Sequence, residues 1–196
     1  MSKTGVIILA AGSSSRMGEL KQLMMYKNKT FLQHIISEAK NANLDPVICV
    51  TGYHSELITK SITGMDATVV YNEQWPEGLG SGISTGIKQL SLSDVDSVIL
   101  AVSDQPYVSS DLFGKMQTLN DQSGKGIVAC SYAGTLGTPV LFGKNYFDHL
   151  KSLSGNQGAK NIVKLNMPDV CSVEFEKGRI DIDTKEDYEN LISEIQ

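Results

Sequence analysis

Between Leu9 and Leu23 the chain reads LAAGSSSRMGELKQL. Two alanines, a glycine and three serines leave the backbone uncovered, and Arg16 and Lys21 follow within the same short segment. Small residues let backbone N–H groups close on a ligand, and such a nest holds anions. The two cations can neutralise phosphate oxygens. A phosphate-bearing ligand is the first chemistry this stretch suggests, and a solvated Ser/Gly turn is the competing reading. It is not a Walker A loop, because Glu19 follows Gly18 where that motif needs lysine. Nor does the glycine spacing fit a dinucleotide fingerprint.

Two acidic clusters can serve the same chemistry. Asp104 lies in Ser103-Asp104-Gln105-Pro106, directly after the aliphatic run SVILAV. Asp181 and Asp183 lie in Arg179-Ile180-Asp181-Ile182-Asp183-Thr184. Mg²⁺ is usually held by one or two protein carboxylates plus substrate phosphates. If residues 180–183 are extended, Asp181 and Asp183 share a face. Like charges side by side are costly unless a cation or donors lie between them. The structural alternatives are an Asp–Pro turn for Asp104 and a residue preceding the Thr184 helix cap for Asp183.

These residues need elements to hold them. Short apolar runs at 6–9, 47–51, 67–71, 97–102, 127–131 and 170–175 read as strands, and the first, second and fourth are apolar nearly throughout. Amphipathic helical patterns alternate with them. Thr30 and Gln33 form a capping-box pattern ahead of Leu32, Ile35, Ile36 and Ala39. Ser81 is expected to cap a helix carrying Ile83, Ile87 and Leu90, and Ser109 one carrying Leu112, Phe113, Met116 and Leu119. Thr184 opens the final helix, with Tyr188, Leu191 and Ile192 facing inward. This alternation predicts a single α/β domain over residues 1–196, with a mostly parallel sheet and helices on both faces. Ligands then bind at the C-terminal ends of the strands, where Leu9–Gly18 and Asp104 fall. The glycine-rich segment from Tyr132 to Gly158 reads as an elaboration on the sheet.

Composition narrows the function classes. A chain of 196 residues with 41% hydrophobic and 20% charged residues is ordinary globular material. The net charge of −5 argues against a nucleic-acid backbone binder, and no apolar run is long enough to span a membrane. Cys49, Cys130 and Cys171 each sit in a strand-like run without metal spacing, which predicts buried reduced thiols and a cytoplasmic setting. His34, His54 and His149 are scattered and read as surface or packing residues.

The opening stretch resembles the signature loop of nucleotidyltransferases of the molybdenum-cofactor type, written roughly L-A-A/G-G-x-x-x-R-M-G-x-x-K. This family has molybdenum cofactor cytidylyltransferase-like and molybdopterin-guanine-dinucleotide-synthase-like branches. The resemblance extends along the chain. SDQP is similar to the family's (G/S)-D-x-P, and DIDTKED to its D-I-D-T-P-E-D, with Lys185 in place of proline. The stretch from Asn72 to Gly86 resembles N-x-x-W-x-x-G-x-x-x-S-x-x-x-G, and the segments from Gly134 and Leu153 resemble acceptor-facing loops. There Asn156 stands where the family usually has aspartate.

The resemblance implies a Rossmann-like, glycosyltransferase-A-like α/β/α fold. It implies transfer of a nucleoside monophosphate from a triphosphate to a phosphorylated acceptor, with release of pyrophosphate. Leu9, Ala10, Ala11, Gly12 and Ser13 would line the nucleotide, joined by Asn72, Gly78 and Ser81 near the base. Arg16 and Lys21 would hold the triphosphate, and Asp104, Asp183 and, behind them, Asp181 would hold Mg²⁺. The acceptor implied is molybdopterin, with a molybdoenzyme as a possible further partner. The Ala10–Ala11 pair is more similar to the cytidylyl branch, which implies CTP as donor.

Overall fold

The computed structural model describes residues 2–13 and 17–194. In chain order the strands are β1 (Thr4–Leu9), β2 (Met25–Tyr26), β3 (Lys29–Thr30), β4 (Val47–Thr51), β5 (Thr68–Tyr71), β6 (Ser97–Val102), β7 (Ile127–Tyr132), β8 (Thr135–Gly143) and β9 (Val170–Glu174). The helices are α1 (Phe31–Asn41), α2 (Ser55–Ser61), α3 (Leu79–Leu90), α4 (Ser110–Ser123), α5 (Phe147–Lys151), α6 (Lys160–Leu165) and α7 (Lys185–Ser193).

Seven strands form one sheet in the order β5-β4-β1-β6-β8-β7-β9, while β2 and β3 pair separately. The β1–β4, β1–β6, β4–β5 and β7–β9 pairs are parallel, and β8 runs antiparallel to both its neighbours. The sheet is thus mostly parallel, as expected from the alternation of strands and helices.

Residue alternation within the strands builds a core on each face. Val6 and Ile8 of β1 join Leu32, Ile35 and Ile36 of α1 and Phe113 and Met116 of α4. Ile7, between them in sequence, points the other way and packs with Ile83, Ile87 and Leu90 of α3 and Phe147 and Leu150 of α5. Helices therefore cover both faces, giving three α/β/α layers. A third, smaller cluster joins Met17, Tyr26, Phe31, Ile182 and Leu191 and seats the C-terminal segment beside the first loop. Cys49 and Cys130 are buried in the core, where burial pushes both thiols up to about 12, whereas Cys171, expected to be buried as well, is half-buried.

Local signals set the helix starts as expected at three of four places. Thr30 and Thr184 make full capping boxes, and the Ser109 hydroxyl accepts from Leu112 N–H. Ser81 is the correction: α3 begins at Leu79 with Gly78 as its N-cap, and Ser81 lies inside the helix.

The segment after Tyr132 does belong to the sheet, and it supplies a strand that was not among those expected: β8 lies between β6 and β7, with Val140, Leu141 and Phe142 buried. Its sequence, TLGTPVLFG, hides this, because proline and glycine usually mark edges or breaks. Opposite Pro139 the register shifts between Ala129 and Cys130, so the ladder asks no N–H of the proline.

Candidate active site

The chain runs from β1 outward through β4 to β5 and returns with β6 on the other side of β1. That reversal opens a crevice above the C-terminal ends of β1 and β6. A cavity of about 450 Å³ lies there. Leu9, Ala11, Gly12 and Ser13 form one wall, and Val102, Ser103 and Asp104 continue from β6. Lys21, Gln22 and Asp183 line it as well, and Trp75, Pro76, Gly78, Leu79 and Gly82 close the side at the start of α3.

The charged groups meet at one point. Lys21 Nζ donates to Asp104 Oδ2 at 2.7 Å and to Asp183 Oδ1 at 2.8 Å. Burial alone would lower the Lys21 pKa, but the two carboxylates outweigh it and raise it above its ordinary value. The three side chains come from a one-turn helix after the first loop, from the end of β6, and from the segment before α7. That last segment is strapped to β6 by two bonds: Ile182 N–H donates to Asp104 O at 3.2 Å, and the Gln105 side-chain amide donates to Gly178 O at 2.9 Å. Ile182 is fully buried, which turns Asp181 and Asp183 away from the core on either side of it. Asp181 does not line the cavity, but its carboxyl is close enough to feel the pair. Partial burial, then the charges of Asp104 and Asp183, push it up to about 6.

The remaining expected residues fall into two groups. Leu9, Ala11, Gly12, Ser13 and Gly78 lie on the cavity wall, while Ala10 is buried behind it. Asn72 and Ser81 are also buried behind the wall. The Asn72 amide donates to the Ser81 hydroxyl at 2.9 Å, and that hydroxyl lies 2.9 Å from Gln74 O and 2.8 Å from Gly78 O. The pair pins the turn ahead of α3. Arg16 lies outside the described residues.

Two residues escape a reading by sequence. Trp75 looks like a packing residue, and it does pack on Tyr53, with ring centroids 5.4 Å apart, but it also lines the cavity. Gln22 is 3% exposed and sends its amide back to the first loop. The available signal was a polar side chain directly after Lys21, in a segment otherwise turning inward. Among the described residues no histidine lines the cavity.

The glycines at the mouth are required by a loop that covers α3. Gly80 N–H donates to Gly155 O at 2.8 Å, which caps the helix in place of a side chain. Gly78 has φ of 119°, and a β-carbon there would collide with Asn156. The segment containing Asn156 therefore forms part of the rim.

A crevice at the switch point, with small residues on one side and a carboxylate–lysine–carboxylate cluster on the other, lies where open α/β sheets take their ligands. The MobA-like NTP transferase domain matches residues 6–170, and the chain belongs to that family. It is similar to the molybdenum cofactor cytidylyltransferase of Escherichia coli, with 28% identity, covering 96% of this chain and 95% of that protein. It is similar also to the purine catabolism protein PucB of Bacillus subtilis, with 26% identity and 93% of each chain covered. Among solved structures, Rv0371c of Mycobacterium tuberculosis in complex with manganese superposes with a TM-score of 0.75 at 23% identity, covering 98% of this chain and 99% of that one.

Proposed function

We propose that residues 1–196 work as one transferase domain that moves a cytidylyl group from CTP to a phosphorylated acceptor, molybdopterin, and releases pyrophosphate. The observation that carries this is the meeting of Lys21, Asp104 and Asp183 in the crevice walled by Ala11–Ser13. The similarity to the cytidylyltransferase of E. coli supports the choice of donor and acceptor.

The cluster fits a divalent ion. Asp104 and Asp183 offer hard oxygens from two different elements, and they already hold a cation, the Lys21 ammonium, between them. Phosphate oxygens and water would complete the coordination. Bound by Asp104 and Asp183, Mg²⁺ would neutralise charge on the triphosphate and the leaving pyrophosphate. The chain's own residues do the rest. The Ala11–Gly12 backbone and the Gly78–Leu79 edge hold the nucleoside, and Lys21, with Arg16, draws the β- and γ-phosphates away from the acceptor. The acceptor's phosphate oxygen then attacks the α-phosphorus in line, and the bond to the β-phosphate oxygen breaks. No covalent enzyme intermediate is needed, and catalysis is positioning plus electrostatics. The buried thiols of Cys49 and Cys130 and the acidic net charge favour a cytoplasmic enzyme that does not bind nucleic acid or membranes.

Incubation of the full chain with CTP, Mg²⁺ and molybdopterin tests the proposal by the release of pyrophosphate. A sugar phosphate or an isoprenoid phosphate offered in parallel identifies the acceptor class by its product. Asn156 favours a second reading, a nucleotide-binding maturation factor for a molybdoenzyme, because a neutral amide stands on the rim where the resemblance implies a carboxylate. Tight CTP binding without pyrophosphate release from any acceptor would establish that role and defeat the catalytic one.

A further inference from the structure

The hydrogen bonds of the loop leaving β1 are one-sided. Ala10 N–H donates to Val50 O at 2.9 Å, continuing the pairing with β4. The next three carbonyls are all taken. Ala10 O and Gly12 O accept from the Gln22 side-chain amide at 3.2 and 3.0 Å, and Ala11 O accepts from Tyr53 N–H at 3.3 Å. Only the nitrogen end of that amide can serve two carbonyls, so its orientation is settled by its partners. Gln22 is buried, so water does not replace these bonds easily. Among the described residues, no group accepts from the N–H of Ala11 or Gly12, and both residues line the cavity. Backbone groups need a partner, and residues 11–12 turn N–H donors toward the cavity while the carbonyls of residues 10–12 each already accept a hydrogen bond.

We propose that Gln22 is a specificity-determining residue of this site. By engaging the carbonyls of Ala10 and Gly12 it leaves the N–H groups of Ala11 and Gly12 as the backbone groups this stretch turns to a ligand, so that a nucleobase is taken there through its acceptor atoms. The inference rests on the reading of the cavity as a nucleoside triphosphate site. Cytosine presents two adjacent acceptors, O2 and N3, on its pairing edge, with the N4 amino donor beyond them. Guanine presents one acceptor, O6, beside the donors N1–H and N2–H₂, and those donors meet carbonyls that Gln22 and Tyr53 N–H already engage. A ligand group left unpaired in a desolvated site is rejected far more strongly than a misfitting apolar one. Methionine in place of Gln22 keeps the volume and releases both carbonyls.

Calorimetric binding of CTP and GTP, each with Mg²⁺, to the full chain and to Gln22→Met tests this. The wild type is expected to prefer CTP by roughly tenfold or more, and Gln22→Met to narrow that preference by roughly tenfold. The ratio of the two affinities is unaffected by partial unfolding, because both ligands report on the same folded fraction. Equal weakening of CTP and GTP, with the ratio unchanged, would make Gln22 a scaffold residue only and overturn the inference. If Gln22→Met does not fold, 3-deazacytidine triphosphate, in which a C–H replaces N3, decides with the wild type. It should bind roughly tenfold more weakly than CTP, and equal binding overturns the inference. A wild type that binds GTP as well as CTP sinks the inference alone, whereas one that binds neither removes the proposed function and this inference together.

Discussion

Lys21 is the residue on which the site turns. Its ammonium separates two carboxylates that would otherwise face each other, and its own charge is stabilised by them. Removing Lys21 leaves two carboxylates facing each other, and removing Asp104 takes one of the two carboxylates from the ammonium. Lys21→Ala and Asp104→Ala are each expected to lower turnover by at least about a hundredfold, the scale at which a single electrostatic contact acts in a transition state. Pyrophosphate release measures the loss, and an unchanged circular dichroism spectrum shows that the fold survives. Wild-type turnover in either variant would defeat the mechanism. Asp181 carries a separate prediction. Its carboxyl is held at about 6 in the fold by partial burial and by Asp104 and Asp183. The folded protein therefore takes up a proton as pH falls through that value, before the unfolded chain does. Ionised Asp181 thus costs stability at neutral pH, and the cost vanishes below the ordinary aspartate pKa of about 4. Because Asp181 keeps much of its surface open to water despite this burial, solvent screens much of the cost. Asp181→Asn should stabilise the metal-free protein by about 1 kcal/mol near neutrality and by nothing near about pH 3. Urea unfolding at the two pH values checks it, and an equal gain at both would show that charge is not the cause.

Helix α3 shows what an element needs beyond its own propensity. Replacing a helical glycine by alanine ordinarily stabilises by up to about 1 kcal/mol. At Gly80 the β-carbon would stand 2.6 Å from Ser154 O and 2.8 Å from Gln157 O, both backbone atoms that cannot swing aside. Gly80→Ala should therefore destabilise by about 1–3 kcal/mol. In α4, Gly114 has no heavy atom within 4 Å of the same position, and Gly114→Ala should instead stabilise by up to about 1 kcal/mol. Denaturant melts of the two variants should move in opposite directions, and a stabilised Gly80→Ala would show that the 154–157 loop does not rest on α3. The glycines of this stretch were plain in the sequence, but their reason was not, because Ser154 and Gln157 reach them only in the folded chain. Ser81 was misread as a cap on the same grounds. A serine before an apolar stripe is a good local signal, yet its hydroxyl is claimed by Asn72 and by the carbonyls of Gln74 and Gly78.

At the scale of the whole molecule, the sheet is a device for bringing distant carboxylates to one cation. Lys21 and Asp183 are separated by 162 positions and meet at 2.8 Å. The proposed function gives that meeting a thermodynamic consequence. Mg²⁺ alone must compete with Lys21 for both carboxylates, whereas CTP offers the lysine phosphate oxygens in exchange. Mg²⁺ alone should shift the melting temperature little, and CTP with Mg²⁺ should raise it by more than the sum of the separate shifts. For a chain of this size each kcal/mol of binding linkage is worth about 2–4 °C. Thermal melts with each ligand and with both check this, and additive shifts would show that Lys21 does not guard the metal site.

What the sequence determined by itself was local. The apolar runs of β1, β4 and β6, the capping boxes at Thr30 and Thr184, and the place of Asp104 just past a buried strand depend on neighbours in the chain, and all are found as read. The tertiary structure alone decided the insertion of β8 between β6 and β7, the withdrawal of Asn72 and Ser81 behind the wall, and the turning of Gln22 toward the carbonyls of Ala10 and Gly12. Pairing order and the partners of a buried polar group depend on which distant segments the packed layers bring together. Residue type and spacing along the chain carry no record of that.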